Sequence, residues 1–463
     1  MAIFNVSDAT QLQSALASAT GGDKIIVAPG DYGSVSINGR NYASNVTVQV
    51  QSFQNRAHFD GLFIQNSKNL TFTGFDIGRA LTADEPTFTQ LNWIRNSSNI
   101  KFSAVHIHGS LDGDPSNDGN GLVLSDVTGF NINNSKFTEL FRGMHSQRSA
   151  SVTIQSNEFT NLRSDGITVA STDGIVIDKN NFSDFRPVLP DHADFIQFWN
   201  TGQTKGSSNI TIKNNVMMQH YFSGVPETGV QGIFIADPLE FGYKNILIQN
   251  NLLWSNDAHN GITVGGATGV QILGNTVLSK SNDAKQFWIR LATVDKIRLE
   301  DNLTDNIVLV KEVTNLVQAN NINFAVTPTL RSLVPNLNAP VNAADLFVAE
   351  AGYEVRGALP LSPVSSAAAS SLGGLLSGAS GAGFAPQAIA AEEEAPALSF
   401  SPSLDLSGLT TAMVGATPVA DAPALPRAAE IFAPAVEAFV APQHHAPMPE
   451  RFAHFYEHFA ALP

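Results

Sequence analysis

The 463-residue chain contains no cysteine, which excludes disulfides, thiolate catalysis and cysteine-ligated zinc or iron–sulfur centres. Its stability rests on packing and hydrogen bonds. A surplus of positive charge is also missing. The formal net charge is −15, whereas a general nucleic-acid binder needs a basic surface to neutralise phosphates. From residue 361 onward nine acidic residues stand against Arg427 and Arg451 alone, so the tail holds −7 and the body is only mildly acidic. A third absence is a long apolar run. The opening MAIFNVSDATQLQSAL has neither a basic leader nor a continuous hydrophobic stretch, so neither an ordinary secretory signal peptide nor a membrane span is expected. Export by another route, or release inside a phage particle, stays open.

What is present is a repeat. Alternating apolar positions close on asparagine in SVTIQSNEF (151–159), GIVIDKNNF (174–182), NITIKNNVM (209–217), NILIQNNLL (245–253), GVQILGNTV (269–277) and KIRLEDNLT (296–304). Looser versions precede them at 69–77, 99–107 and 129–137. Successive starts lie 30, 30, 22, 23, 35, 36, 24 and 27 residues apart, which suits solenoid coils carrying loops of different length and not the uniform blades of a propeller. The period within each unit is two, so these are strands. The seventh position is Asn157, Asn180, Asn215, Asn251, Asn275 and Asn302 in consecutive units. With coils about 4.8 Å apart, those amides would form a ladder, each bonding the next. A second strand opens with glycine in GLVL (121–124), GMHS (143–146), GITV (166–169), GIFI (232–235) and GITV (261–264), and FIQF (195–198) aligns with it. The glycine is expected because the chain bends there.

The asparagine ladder, the coil length and the entry segment resemble right-handed parallel β-helix proteins of the pectate-lyase-like class, a group that includes alginate epimerases and lyases and phage tailspikes. The resemblance covers about residues 1–360 and implies an all-β solenoid. Its expected parts are an N-terminal cap and first coil over 1–45, the parallel β-helix over 46–325 and a closing segment over 326–363. The cap reads as a short helix, SDATQLQSALASA, followed by DKIIVAPGDY as strand and turn. An Ala/Ser/Gly/Pro-rich linker over 364–442 cannot bury a core. A short amphipathic helix over 443–463 would place Phe452, Phe455 and Phe459 on one stripe, as a docking helix, an export signal or a frayed end. Its His454 and His458 have the spacing of a metal pair without an evident third ligand.

In a stacked solenoid the same position of successive coils makes a surface column. Just before the glycine position stand Asn120, Arg142, Asp165, Asp194, Gln231 and Asn260. Outward between the apolar residues stand Val123, His145, Thr168, Gln197, Phe234 and Thr263. Around PDHADFIQFWN (190–200) these columns gather acid, base and cation, with Asp191 and His192 on the adjoining turn. Trp199 and Phe234 would offer faces for sugar stacking. The inserts 110–120, 183–193 and 219–231 would make walls. A turn-forming role explains Asp165, which precedes Gly166, as well as a catalytic one does. Arg142 would neutralise a uronate carboxylate or merely pair with Asp165.

Two chemistries fit. In a lyase or C5-epimerase, Arg142 neutralises the substrate carboxylate and His192 or His145 takes the C5 proton. In a hydrolase, Asp165 and Asp194 on adjacent coils would flank the glycosidic bond. PDHAD is similar to the Asp-Pro-His-acid motif of alginate C5-epimerases, with Pro and Asp exchanged and no tyrosine just upstream. The motif set of polygalacturonases is absent. Asp112, Asp114 and Asp118 in LDGDPSNDG suggest a calcium loop, though the glycine and terminal glutamate of an EF-hand are missing. The expected partner is an acidic or cell-surface polysaccharide, met outside the cell or on its surface. The rival class is a non-catalytic tailspike or adhesin using the same face.

Overall fold

The computed structural model describes residues 1–329, except 189–190, 201, 220–228, 237–241, 256–257 and 280–285, together with the backbone of 347–348 and 354–355. The linker and the terminal helix expected at 364–463 lie outside the described residues. So does nearly all of the closing segment; its Phe347–Val348 pairs antiparallel with Glu354–Val355. None of the described helices is long and apolar enough to cross a membrane.

The chain enters as strand Ile3–Val6 and helix Ala9–Ser18, whose N-cap Asp8 accepts from the Gln11 amide at 2.8 Å. An N-cap carboxylate satisfies a donor that the first turn leaves over. Leu12, Ala15 and Leu16 on its inner side are buried, and the Tyr42 hydroxyl donates to the Leu16 carbonyl at 2.6 Å. The helix thereby closes the first end of the core, as the sequence suggests.

Most of the following coils have three strands, one more than the repeat shows; from Asn260–Leu273 onward the first two run together as one. In a middle coil these are Met144–Gln147 (the glycine strand), Ala150–Gln155 (the ladder strand) and Glu158–Leu162 (the third strand). All stack in parallel on their counterparts, making sheets of twenty-one and twelve strands among the described residues, the larger one holding both glycine and ladder strands. Alternation aims Val152 and Ile154, Ile175 and Ile177, and Ile210 and Ile212 inward, each fully buried and opposite its counterpart in the next coil. On the third strand Phe137, Phe159 and Phe182 stack with centroids 4.5 and 4.8 Å apart and planes within 8°. Fully buried rings at this spacing follow from one large apolar residue repeating at one coil position.

The asparagine ladder forms as the sequence predicts. Asn157, Asn180, Asn215, Asn251 and Asn275 each use the side-chain Nδ2 and the backbone N–H to donate to the next asparagine's Oδ1 at 2.9–3.0 Å. Asn302 does the same toward Asn321, which the repeat did not reveal. The residue before each rung turns the corner in the left-handed region: Ser156, Lys179, Asn214, Asn250 and Asp301 have φ of 54–58°. Such a backbone costs about 1–2 kcal/mol per non-glycine residue, offset by the rung that follows. A second ladder runs along the preceding corner, where the amides of Ser67, Val127 and Thr172 donate to the hydroxyls of Ser97, Ser149 and Ser207 at 3.1 Å.

The glycines that open the first strand have a different cause from the one expected. Gly121, Gly143, Gly166, Gly232 and Gly261 are not among the positive-φ residues; they are small because the next coil and the core leave no room. A Cβ on Gly143 would lie 2.6 Å from the Gly166 carbonyl oxygen and 2.8 Å from the Phe159 ring. Gly143→Ala is therefore expected to lower stability by about 1–3 kcal/mol through overpacking, measurable by urea unfolding. An unchanged midpoint would mean that the coils can part at that point.

Candidate functional site

The two columns read from sequence exist. Strand register puts Val123, His145, Thr168, Gln197, Phe234 and Thr263 opposite one another in successive coils. Gly121, Gly143 and Gly166 donate to the carbonyls of Arg142, Asp165 and Asp194, and Asp194 pairs with Gln231. That line of hydrogen bonds aligns the residues preceding each glycine. The outward column runs further in both directions: Phe63 and Trp93 precede Val123, and Arg290 follows Thr263. Phe63 and Trp93 lie 5.4 Å apart, with the Arg95 guanidinium 4.4 Å from the Trp93 centroid.

At the centre, strand Ala193–Phe198 carries Asp194. Phe195 stands where neighbouring coils have glycine, and its ring goes into the core against Phe185 at 5.0 Å. Asp194 is fully buried. Its Oδ2 lies 3.1 Å from His192 Nδ1 and accepts from Gln197 Nε2 at 3.1 Å. Asp165, 2% exposed, has both oxygens engaged: Oδ2 by Arg142 Nε at 2.8 Å and Oδ1 by the Asp194 amide at 3.1 Å. Arg142 lies over the Phe141 ring at 4.8 Å, with Arg163 at 5.0 Å from the same ring.

The two histidines are tuned in opposite directions. Burial pushes the His145 imidazole down to about 4, and Arg142 adds to the effect, so His145 is neutral at pH 7 with Nδ1 2.7 Å from the Thr168 hydroxyl. Burial would lower His192 as well, but the Asp194 carboxylate outweighs it, Asp165 helps, and the ring is pushed up to about 9. Burial pushes Asp194 up, against the pull of His192. The pair therefore retains a proton through neutral pH.

A chain of amides bears on which nitrogen keeps its proton once the imidazolium is deprotonated. Trp288 Nε1 can only donate, and it donates to Asn260 Oδ1 at 3.0 Å, as does Thr263 Oγ1 at 2.9 Å. Asn260 Nδ2 thus faces Gln231 Oε1, leaving Gln231 Nε2 to face His192 Nε2. An amide N–H aimed at Nε2 favours the tautomer with its proton on Nδ1, toward Asp194. The sequence placed Gln231 and Asn260 in the column but gave no sign of this linkage, because Trp288 lies in the next coil beyond an insert.

The remaining expected residues divide. Thr168 is buried at 8%. Gln197, Trp199 and Phe234 are half-buried along the strand line. Asp191 is not drawn into the cluster: Arg163 Nε holds its Oδ2 at 2.5 Å. The insert after residue 109 is a wall at this corner. Arg163 donates to the Ser116 carbonyl at 2.8 Å and Arg186 to the Gly113 carbonyl at 2.5 Å, while the Gly113 amide donates to Glu139 at 2.8 Å. Most of the insert expected at 219–231 lies outside the described residues.

The carboxylates of the suspected calcium loop turn onto the loop's own donors. Asp112 accepts from the Asp114 amide and Asn117 side chain at 2.8 and 2.9 Å, Asp114 from the Ser116 amide at 2.9 Å, and buried Asp118 from the Ser110 amide at 2.6 Å. Burial pushes Asp118 up to about 6. Among the described residues, the groups whose potential metal ligands come together are instead His58, Asp76 and His108, and Asp31, His58 and Asp60.

Residues 93–277 match the family model described as the right handed beta helix region. No curated protein matches the chain. Similar solved structures include the A-module of a mannuronan C-5 epimerase from Azotobacter vinelandii, 14% identical with a TM-score of 0.45, covering 69% of this chain and 99% of that one. An alginate lyase from Paenibacillus sp. is 16% identical, with a TM-score of 0.39, covering 69% of this chain and 99% of that one. PfbA, a surface adhesin of Streptococcus pneumoniae, is 11% identical, with a TM-score of 0.39 and coverage of 68% and 86%. At such identities and scores these likenesses say nothing about the reaction.

Proposed function

Starting from the right-handed parallel β-helix that its stacked sheets and family match make this chain, we propose that it binds an acidic polysaccharide lengthwise along the glycine-strand face and acts on it as a lyase or C5-epimerase. The observation that carries this reading is the His192–Asp194 pair beside the Arg142–Asp165 bridge, next to an outward column that carries Trp93 on one side and Phe234 and Arg290 on the other. A column with one residue every 4.8 Å or so suits an extended chain better than a compact ligand.

In this reading substrate displaces the Gln231 amide from His192 Nε2, which then takes the C5 proton of a uronate. The electrons move into the carboxylate, whose growing charge Arg142 stabilises. In a lyase the C4–O4 bond then breaks and the proton passes to the leaving oxygen; in an epimerase a water on the opposite face reprotonates C5 and His192 releases its proton to solvent. Asp194 orients the ring and raises its basicity, and Asp165 positions Arg142 and the Asp194 backbone without touching substrate. Both oxygens of Asp165 are occupied, which weighs against a hydrolytic pair made with Asp194. His145, a weak base beside Thr168, contributes hydrogen bonding. Gln197, Thr168, Trp199 and Phe234 line the path of the sugar. A substrate of this kind places the protein outside the cell or on its surface.

Incubation with a panel of uronate polysaccharides tests the proposal: unsaturated ends or a changed C5 configuration are expected. Binding with neither would leave a gripping face of the sort a tailspike or adhesin needs. The base must be unprotonated to act, so kcat/KM is expected to fall about tenfold per pH unit on the acid side of an apparent pKa above the ordinary histidine range and no higher than about 9. Gln231→Ala removes the donor facing Nε2 and should move that limb upward. A limb below pH 6 in the parent would contradict His192 as the base.

A further inference from the structure

On the third-strand face of the first coils three histidines converge on one carboxylate. His58 Nδ1 and His108 Nε2 lie 3.2 and 3.3 Å from Asp76 Oδ2, and His106 Nδ1 lies 3.0 Å from Asp76 Oδ1. We propose that His58, Asp76 and His108 bind a divalent transition-metal ion of the zinc class, independently of the polysaccharide face.

Four features support a metal over simple neutralisation of Asp76. A tetrahedral ion with bonds of about 2.0–2.1 Å keeps its ligand atoms about 3.3–3.4 Å apart, close to the two separations observed. The other ring nitrogens are committed as they are in metal-binding histidines: His108 Nδ1 lies 2.7 Å from the Gly109 carbonyl oxygen, and His58 Nε2 lies 3.4 Å from Asp60 Oδ1. Without an ion both inner nitrogens donate to Asp76 Oδ2; with one bound, the outer partners take the ring protons on the far side and leave His58 Nδ1 and His108 Nε2 with lone pairs toward the metal. His106 holds the second oxygen of Asp76 and so fixes the carboxylate.

The fourth feature is a gap built into the middle coil. His58 and His108 are two coils apart, about 9.6 Å by strand spacing, yet their rings lie 6.0 Å apart with planes within 26°. Gly78 stands opposite His108 in the intervening coil. Its φ is 149°, and a Cβ there would collide with the His108 backbone. The absent side chain lets the His108 backbone close onto the intervening coil, from where its ring reaches Asp76 Oδ2 and stacks toward His58. Side-chain exposures of 29% for His58, 30% for Asp76 and 7% for His108 leave the remaining coordination positions to water. Two imidazoles and one carboxylate with open positions select zinc or a neighbouring transition ion over calcium or magnesium.

The test uses full-length protein stripped with chelator. Because His444, His445, His454 and His458 could bind metal separately, it is done in a background with those four replaced by glutamine. Titration with Zn²⁺ by calorimetry is expected to show one equivalent bound, and Co²⁺ to give the intense visible bands of a four- or five-coordinate ion. Asp76→Asn and His108→Gln should abolish both signals. Asp60→Asn, which touches only the outer partner of His58, should keep the fold and weaken binding by about 10–100-fold. Absence of binding in the parent, or unchanged affinity in Asp60→Asn and His108→Gln alike, would overturn the proposal. Should Asp76→Asn fail to fold by circular dichroism, the Asp60→Asn and His108→Gln results decide it.

Discussion

His192→Ala is expected to lower turnover on a uronate polysaccharide by about 10²–10⁴-fold, the usual contribution of a positioned general base, while the fold survives. The ring is on a turn with 29% of its side chain exposed, so its removal opens no core cavity. Asp194→Asn should act in the same direction, because a neutral amide neither raises the basicity of His192 nor holds its Nδ1 proton as a carboxylate does. It keeps the shape of a fully buried residue and can still accept from Gln197. His145→Gln is the contrast: with an imidazole already neutral at pH 7, its loss should cost far less than the loss of His192. Rates that fall equally for His145 and His192 would dissolve the distinction between base and bystander. These comparisons need only initial rates at fixed pH and a circular dichroism spectrum of each variant.

Asn215→Ala is expected to lower stability by about 2–4 kcal/mol, the largest effect outside the site. Asn215 is fully buried in the middle of the ladder. Its Oδ1 accepts from the Asn180 amide at 2.9 Å and Nδ2 at 3.0 Å, and its own Nδ2 donates to the Ile177 carbonyl at 3.0 Å and Asn251 Oδ1 at 2.9 Å. Asn180 Nδ2 keeps a second acceptor in the Ile154 carbonyl, and Asn251 Oδ1 keeps the Asn215 amide. The Asn180 amide loses its partner, and such an orphaned buried group costs about 1–3 kcal/mol; the Ile177 carbonyl, which lies in a paired strand, loses one donor, at about 0.5–1.5 kcal/mol. Asn321→Ala, at the half-buried end of the ladder, should cost less. In a solenoid each coil is stabilised by its neighbours, so the Asn215 variant should also unfold over a broader urea range as its two halves uncouple. A midpoint equal to the parent's would mean that the ladder is geometrically present but energetically idle.

The fold was legible because a solenoid writes its contacts into a period: Asn157 to Asn302 recur at one position, and that position is one surface or core column. The same reading located the columns of Arg142, Asp165 and Asp194 and of His145, Thr168 and Gln197, since register in parallel coils follows alignment. It gave the wrong cause for Gly143 and its counterparts, because lack of room for a Cβ depends on the neighbouring coil and core and leaves no local mark. It could not say that Asp191 would be captured by Arg163, or that Trp288 would orient Asn260 and Gln231 toward His192, because inserts separate those residues. The His58, Asp76 and His108 cluster was within reach. In the looser repeats NLTFTGFDI and NIKFSAVHI, Asp76 and His106 share the eighth position, next to the position that carries the ladder.

The central claim is that this face abstracts a proton from C5 of a uronate through His192. Its most direct measurement is deuterium incorporation at C5, or its loss with formation of an unsaturated end, when an acidic polysaccharide is incubated in deuterated water with the parent protein and with His192→Ala. Exchange or elimination by the parent that falls by at least about a hundredfold in the variant is the predicted result. Equal exchange by both proteins, or tight binding of the polysaccharide by the parent with no change at C5, would contradict it.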